Sequence, residues 1–253
     1  MAGAPAGRRC GMTALATTAN ELPVLLDSGP NTVFAVGTLP TGLPNGLGVA
    51  IAPGAGIASS GNARAWVELA RRLAAQGYLV DRLDYRGVGE STGEVDRFDL
   101  LETFTDDVVA AVHWLQRNGA AEVVLVGECY GARVALDALA ALPDVRAVLA
   151  LFPPLTVAAP GTDQATRETD HFVAALRREL ARGVRIRAIY GIEDVDLEPF
   201  RSAVEQVRGA HSGLSLRLAE NKLHGIASAA ARDAVIRLVQ EALGDYRRYI
   251  ESR

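Results

Sequence analysis

Residues 124–136 read VLVGECYGARVAL, and this stretch determines how the rest of the chain is interpreted. Residues 122–127 are apolar apart from one glutamate and predict a buried strand. Residues 132–142 are rich in alanine and leucine and predict a helix. Between them lies a five-residue turn with a glycine at each end and Cys129 at its centre. The stretch therefore predicts a tight strand-to-helix turn that presents a thiol.

Strands and helices alternate on both sides of this turn. Further strands are predicted at 47–53, 78–85, 145–154, 184–191 and 214–220, and further helices at 62–78, 99–118, 198–209 and 227–252. Residues 22–38 predict a hairpin at an antiparallel edge. Strands alternating with helices of this length predict parallel βαβ units. The fold class we expect is α/β: a mostly parallel, doubly wound sheet of about eight strands, with helices on both faces and a short lid insertion.

The chain shows no sign of a second domain. Residues 21–253 are predicted to form a single domain, because no linker or repeat divides them. The least regular internal stretch, residues 155–183, is interpreted as a small lid over the carboxyl edge of the sheet, with a surface insertion as the alternative. Residues 1–20 are predicted to be a disordered leader, and Met12 is an alternative start.

Composition excludes some classes of function. Of the 253 residues, 49% are hydrophobic and 22% are charged, and the formal net charge is -4. An acidic balance gives no electrostatic support for nucleic-acid binding. No apolar run approaches the roughly 18 residues of a membrane span, so we expect no membrane association. Of the two cysteines, Cys10 lies in the predicted leader and Cys129 in the predicted core, so no disulfide is expected between them, which favours a reducing cytoplasm.

Ligands of open α/β sheets bind beyond the carboxyl ends of the strands, so the loops there are the candidate site. A turn of the form Gly-x-Cys-x-Gly would place Cys129 at a helix N-terminus, where the dipole favours a thiolate nucleophile. The alternative is a small buried thiol in a tight turn. His224 follows the last predicted strand, where a general base could reach the turn. We expect no such role for His113, His171 or His211.

A carboxylate after the fifth strand of the parallel series could orient the histidine. Asp194 is the preferred residue because it lies closer to the strand end, and Asp196 is the reserve. Glu193 is interpreted as a solvated neighbour. Two backbone N–H groups, those of Tyr130 and Ala55, are predicted to form an oxyanion hole, with Gly56 as the alternative to Ala55.

The order Cys129, Asp194, His224 resembles the α/β-hydrolase superfamily. The sequence DYRGVGESTG at 84–93 is close to a D-x-R-G-x-G-x-S signature of its serine-aminopeptidase-like, lipase and esterase branches. The resemblance implies structural roles for Asp84, Arg86 and Ser91. The chain departs from the family pattern in two places. Pro53-Gly54 replaces the usual His-Gly, and cysteine replaces the usual serine, as it does in dienelactone hydrolases and polyhydroxyalkanoate synthases.

Together these residues predict an acyl-handling enzyme with a Cys-His-Asp triad and a thioester acyl-enzyme. Its substrate would be a small ester, lactone or thioester, the last delivered by coenzyme A or an acyl carrier protein, and both hydrolysis and transfer or cyclising release are open. The alternatives are a non-catalytic binding protein and a serine esterase carrying a Ser-to-Cys substitution. No metal ion, cofactor or nucleic-acid partner is expected, and both a monomer and a homodimer remain open.

Overall fold

The structure is a computed structural model that describes residues 20–208 and 213–253. The predicted leader lies outside the described residues except for Asn20, as do Cys10, Met12 and His211. Within the part of the chain that the structure describes, no helix is long and apolar enough to cross a membrane.

One sheet organises the described chain, and it confirms the predicted fold class. The sheet has eight strands in the order β1-β2-β4-β3-β5-β6-β7-β8. The strands are β1 (Asn20–Ser28), β2 (Asn31–Leu39), β3 (Leu47–Ala52), β4 (Leu79–Leu83), β5 (Glu122–Glu128), β6 (Ala147–Leu151), β7 (Arg185–Gly191) and β8 (Leu214–Ala219). β1 and β2 form the predicted antiparallel hairpin, β2 also pairs antiparallel with β4, and the remaining pairs are parallel.

Helices pack in two groups against the sheet. The described residues form six α-helices: α1 (Ala65–Ala75), α2 (Thr105–Arg117), α3 (Tyr130–Ala138), α4 (Asp163–Ala181), α5 (Leu197–Arg208) and α6 (Ala229–Glu251). α1 contacts α6, whereas α2, α3, α4 and α5 contact one another in sequence. Short 3₁₀ turns lie at Asn62–Arg64, Leu139–Ala141 and His224–Ile226. The central strand β5 is buried on both sides, as a parallel strand covered by two helical layers must be.

Several predicted boundaries differ from the structure by a few residues, and tertiary contacts explain the largest shift at the start of a helix. α2 begins at Thr105, six residues later than the predicted 99, because the backbone before it is engaged elsewhere. The N–H of Phe104 donates to the Tyr130 hydroxyl, and the Leu100 carbonyl accepts from Arg133. Most of the segment predicted as a lid is α4, which packs against α3 and α5, and residues 155–162 form a loop before it. That this segment acts as a lid stays a prediction.

Arg133 on α3 ties the loops at the carboxyl edge of the sheet together. Its side chain is 1% exposed, and its guanidinium donates to four backbone carbonyls. Those carbonyls belong to Leu100, Pro154, Leu155 and Glu168. Burial lowers the pKa of Arg133 to about 10, still above neutral pH, so the guanidinium keeps its charge. Arg133 therefore anchors α4, the loop after β6 and the loop before α2 to α3.

Asp81 on β4 is buried with no hydrogen-bond partner among the described residues. Burial raises its pKa from 3.8 to about 8, against a smaller opposing effect of the Arg82 charge. The folded state therefore holds a proton on Asp81 that the unfolded chain releases above about pH 4. The stability contribution of this group is complete at low pH and is lost progressively as pH rises from about 4 to 8.

We predict that Asp81→Val raises the midpoint of urea unfolding at pH 8 more than at pH 5. The substitution removes a buried, unpaired carboxyl and supplies a β-branched residue suited to a strand. Urea unfolding followed by circular dichroism at both pH values measures this. Asp27→Val, at an exposed position of β1, is the control and should show little pH-dependent change. An equal change at both pH values would contradict the account.

Candidate active site

Cys129 occupies a strained turn between β5 and α3. Its backbone angles are φ 50° and ψ −114°, a conformation that residues with a Cβ rarely adopt. Its N–H donates to the Leu151 carbonyl on β6 at 2.9 Å, which fixes the turn to the neighbouring strand. The side chain is partly exposed at the carboxyl edge of the sheet. The predicted elbow is therefore present, with the thiol accessible.

The two flanking glycines are required by close backbone contacts. A Cβ on Gly127 would lie 2.5 Å from the Cα of Ala132, and one on Gly131 would lie 2.5 Å from the Pro53 carbonyl oxygen. Both distances are well below any normal contact, and backbone cannot move aside as a flexible side chain can. The Gly-x-Cys-x-Gly spacing is therefore a steric requirement of bringing β5, α3 and the end of β3 together.

His224 is the histidine that the structure brings to this turn. Its Nδ1 lies 3.5 Å from Oδ2 of Asp196, and its side chain is 30% exposed. The imidazole stacks on Phe152, with ring centroids 5.2 Å apart and an interplanar angle of 29°. The pKa of His224 is raised to about 10, chiefly by a hydrogen bond to Asp196 and next by one to Cys129, although burial acts in the opposite direction. The ring is thus held between a carboxylate and the thiol.

The structure places Asp196, and not the preferred Asp194, beside the histidine ring. The Asp194 carboxylate is buried and accepts three backbone N–H groups, from Gly191 at 2.7 Å and from Leu223 and His224 at 2.9 Å each. These bonds hold the histidine loop against the end of β7, and the ring contact is made by Asp196, the reserve. Both aspartates follow the same strand, so the sequence order could not separate a backbone ligand from a ring ligand.

Three further residues that were considered from the sequence have no described contact with the thiol. Glu193 is exposed, as a solvated neighbour should be. His113 is exposed on α2, and His171 on α4 pairs with Asp137 at 3.1 Å. Neither of these two histidines contacts Cys129 among the described residues.

The turn after β3 has the form needed for an oxyanion donor. The N–H of Ile57 donates to the Gly54 carbonyl at 3.1 Å, and Gly56 has a φ of 66°, so residues 54–57 form a β-turn. Ala55 is exposed at its tip, and its N–H donates to no acceptor among the described residues. The N–H of Tyr130 opens α3, where the first N–H groups of a helix have no intrahelical acceptor. Whether Ala55 or Gly56 is the second donor stays a prediction.

The D-x-R-G-x-G-x-S loop is held by structural contacts. The Ser91 hydroxyl donates to the Asp84 carbonyl at 2.7 Å and accepts from the Phe34 N–H at 2.8 Å. Arg86 pairs with buried Asp107 at 2.7 Å. None of these groups contacts the thiol or the imidazole, so they brace the sheet edge beside the site.

Three residues at the site were not singled out from the sequence. Phe152, with a φ of 37°, supplies the surface on which the imidazole stacks. Asn62 donates to the Gly225 carbonyl at 2.9 Å and so ties the 3₁₀ turn before α1 to the histidine loop. Glu128 is buried beside the thiol. Phe152 could have been found, because it follows the end of β6; Asn62 carries no comparable signal.

Comparison with known proteins gives the family. The family profile described as "Serine aminopeptidase, S33" matches residues 51–238, which include the cysteine turn, both aspartates and the histidine. The chain belongs to this family of α/β hydrolases. An uncharacterized protein of Rickettsia prowazekii (strain Madrid E) is 35% identical over 85 residues, which cover 33% of this chain and 34% of that protein. The chain thus spans about a third of the length of that curated relative.

Solved structures share the fold across most of the chain. The Pyrococcus furiosus esterase Pf2001 is 17% identical with a TM-score of 0.69, covering 90% of this chain and 91% of that one. A dienelactone hydrolase from Anabaena variabilis is 20% identical with a TM-score of 0.64, covering 88% and 96%. A proline iminopeptidase from Mycobacterium smegmatis is 12% identical with a TM-score of 0.62, covering 90% and 100%. At these identities the likeness establishes the fold.

We predict that Asp196→Asn lowers the pKa of His224, whereas Asp194→Asn leaves the ring contact in place. The reason is that Asp196 makes the largest contribution to the raised pKa. The pH titration of the imidazole C–H signals by NMR measures it, with the His224 signal assigned from a His224→Gln variant. Asp194→Asn is the matched control and should instead lower thermal stability. The assignment fails if Asp194→Asn moves the His224 pKa and Asp196→Asn does not.

Proposed function

We propose that Cys129, His224 and Asp196 act together as nucleophile, general base and orienting acid in acyl transfer through a thioester. The observation that carries the proposal is the imidazole of His224, held between the Cys129 thiol at a strained, accessible turn and the Asp196 carboxylate. Asp196 fixes the ring tautomer and favours the imidazolium, which is the role of the acid in such triads. Membership in a hydrolase family makes this use of the arrangement the simplest one.

In the first half of the reaction the Cys129 sulfur attacks the acyl carbonyl carbon as a thiolate whose proton is on His224. The carbonyl oxygen becomes an oxyanion, which in this proposal the N–H groups of Tyr130 and Ala55 bind. The tetrahedral adduct then collapses: the bond to the leaving group breaks, and His224 delivers its proton to that group. The products are the released alcohol or thiol and an acyl thioester on Cys129.

In the second half an acceptor attacks the thioester carbonyl while His224 removes its proton. Collapse expels the Cys129 thiolate and returns the imidazolium. Water as the acceptor gives hydrolysis, whereas an amine, hydroxyl or thiol gives transfer or cyclising release. Because a thioester exchanges readily with other thioesters, donors on coenzyme A or a carrier protein suit this cysteine as well as esters and lactones do.

The rim of the site favours a substrate with an apolar acyl part. Three large apolar side chains in the loops after β6 and β7 are well exposed: Val157 at 66%, Ile192 at 55% and Val195 at 74%. Val195 is the direct neighbour of Asp196 in the chain. Exposed apolar side chains that lie close together are typical of surfaces that bind apolar groups. Proteins of this fold include one named an esterase and one named a dienelactone hydrolase, which supports an ester or a lactone as the substrate.

We predict that a small activated ester such as p-nitrophenyl butyrate, or butyryl-coenzyme A, acylates Cys129 once per chain. Intact-mass spectrometry after rapid acid quench should show one butyryl group, and peptide mapping should place it on Cys129. Cys129→Ala should show no adduct, and turnover should fall by at least about 10³-fold, because the nucleophile is lost. Cys10→Ala is the matched control for the second thiol and should behave like the wild type.

The proposal fails if the wild type forms no adduct or if Cys129→Ala turns over substrate normally. The first result together with tight substrate binding would favour a non-catalytic binding protein. Comparing water with an added amine as acceptor then separates hydrolysis from transfer.

A further inference from the structure

Glu128 is a buried carboxyl group that the proposed reaction does not use. It precedes Cys129 directly, ends β5 and is 2% exposed. Burial of an acidic side chain requires hydrogen-bond partners, because transfer of an unpaired charge from water is costly. The Glu128 Oε2 accepts from the Trp66 indole N–H at 3.1 Å, and its carboxyl group lies against Gly54, whose backbone N–H lowers the pKa of Glu128.

Gly54 is the first residue of the turn that carries Ala55. The Gly54 carbonyl closes that turn by accepting from the Ile57 N–H. A Cβ added to Gly54 would lie 3.6 Å from the carboxyl carbon of Glu128, so the two residues are neighbours. The Glu128 carboxylate therefore holds the N–H side of Gly54, while the turn bond holds its carbonyl side. Both backbone groups of this residue are fixed, and the position of the Ala55 N–H depends on them.

From these contacts we infer that Glu128 is a positioning residue, which sets the separation of the two oxyanion donors by linking the nucleophile turn to the Gly54–Ile57 turn. One donor, Tyr130, is two residues after Glu128 in the chain, and the other, Ala55, directly follows the group that Glu128 binds. The inference rests on the proposed function, since an oxyanion hole matters only if an acyl carbonyl is attacked.

Trp66 completes the link on the side away from the substrate. It is 0% exposed on α1, so its indole cannot turn to another partner without disturbing the core. Its N–H occupies one oxygen of the carboxylate and thereby limits rotation of the group that holds Gly54. Burial raises the pKa of Glu128, and the hydrogen bonds from Gly54 and Trp66 act in the opposite direction. These two donors, followed by the nearby charge of His224, favour the charged, accepting form of Glu128.

The test compares two reactions of the same thiol. Acylation by p-nitrophenyl butyrate passes through an oxyanion, whereas alkylation by iodoacetamide is a direct displacement at carbon and forms none. We expect Glu128→Ala to slow acylation roughly 10- to 100-fold, the range for a misplaced rather than a deleted donor. Alkylation should stay within about twofold of the wild type, because the thiol and His224 are untouched.

Glu128→Gln keeps the shape of the side chain and one acceptor oxygen, so its acylation rate should lie between those of Glu128→Ala and the wild type. It also serves as the test if the alanine variant does not fold. Glu179→Ala is the matched control: Glu179 is 0% exposed and pairs with Arg178 at 2.6 Å on α4. Loss of this second buried glutamate should leave both reaction rates within about twofold of the wild type.

The inference is overturned if acylation in both Glu128 variants stays within twofold of the wild type. It is also overturned if acylation and alkylation fall in parallel, since that would mean damage to the thiol turn itself. A wild-type protein that iodoacetamide alkylates but no ester acylates would instead contradict the proposed function.

Discussion

The backbone of Cys129 is the constraint on which the rest of the site depends. The chain must turn from the end of β5 into α3 at once, and it does so by placing a residue with a Cβ at φ 50°. Such a conformation persists only when its surroundings determine it. Here they do: Gly127 and Gly131 admit neighbouring backbone at distances that exclude a side chain, and the Leu151 carbonyl holds the Cys129 N–H. This strained turn places Cys129 at the N-terminus of α3.

The loops around this turn are held by buried polar groups rather than by apolar packing alone. Arg133 ties two loops and α4 to the nucleophile helix, Asp194 ties the histidine loop to β7, and Glu128 ties the thiol turn to the turn after β3. Each uses charge-assisted hydrogen bonds to backbone, which are directional and cost little entropy once formed. Loops with few apolar residues can in this way be fixed to the accuracy that a reaction needs.

Much of this arrangement follows from sequence patterns, and its limits have physical reasons. The buried strand, the two glycines and the helix after them predicted the elbow, and the loop after the last strand predicted His224. The pattern did not separate Asp194 from Asp196, because both follow β7 and their roles depend on which backbone N–H groups the fold presents. The contacts of Glu128 could not be predicted from the sequence, because its partners, Gly54 and Trp66, are 74 and 62 residues away in the chain.

The most direct test of the account is whether an acyl group on Cys129 is a kinetically competent intermediate. A rapid-quench experiment with excess enzyme over p-nitrophenyl butyrate would follow the butyryl-Cys129 mass with time. The account predicts that the adduct forms together with p-nitrophenol release and decays at a rate no slower than steady-state turnover. Product release without the adduct, or an adduct that decays more slowly than steady-state turnover, would contradict it.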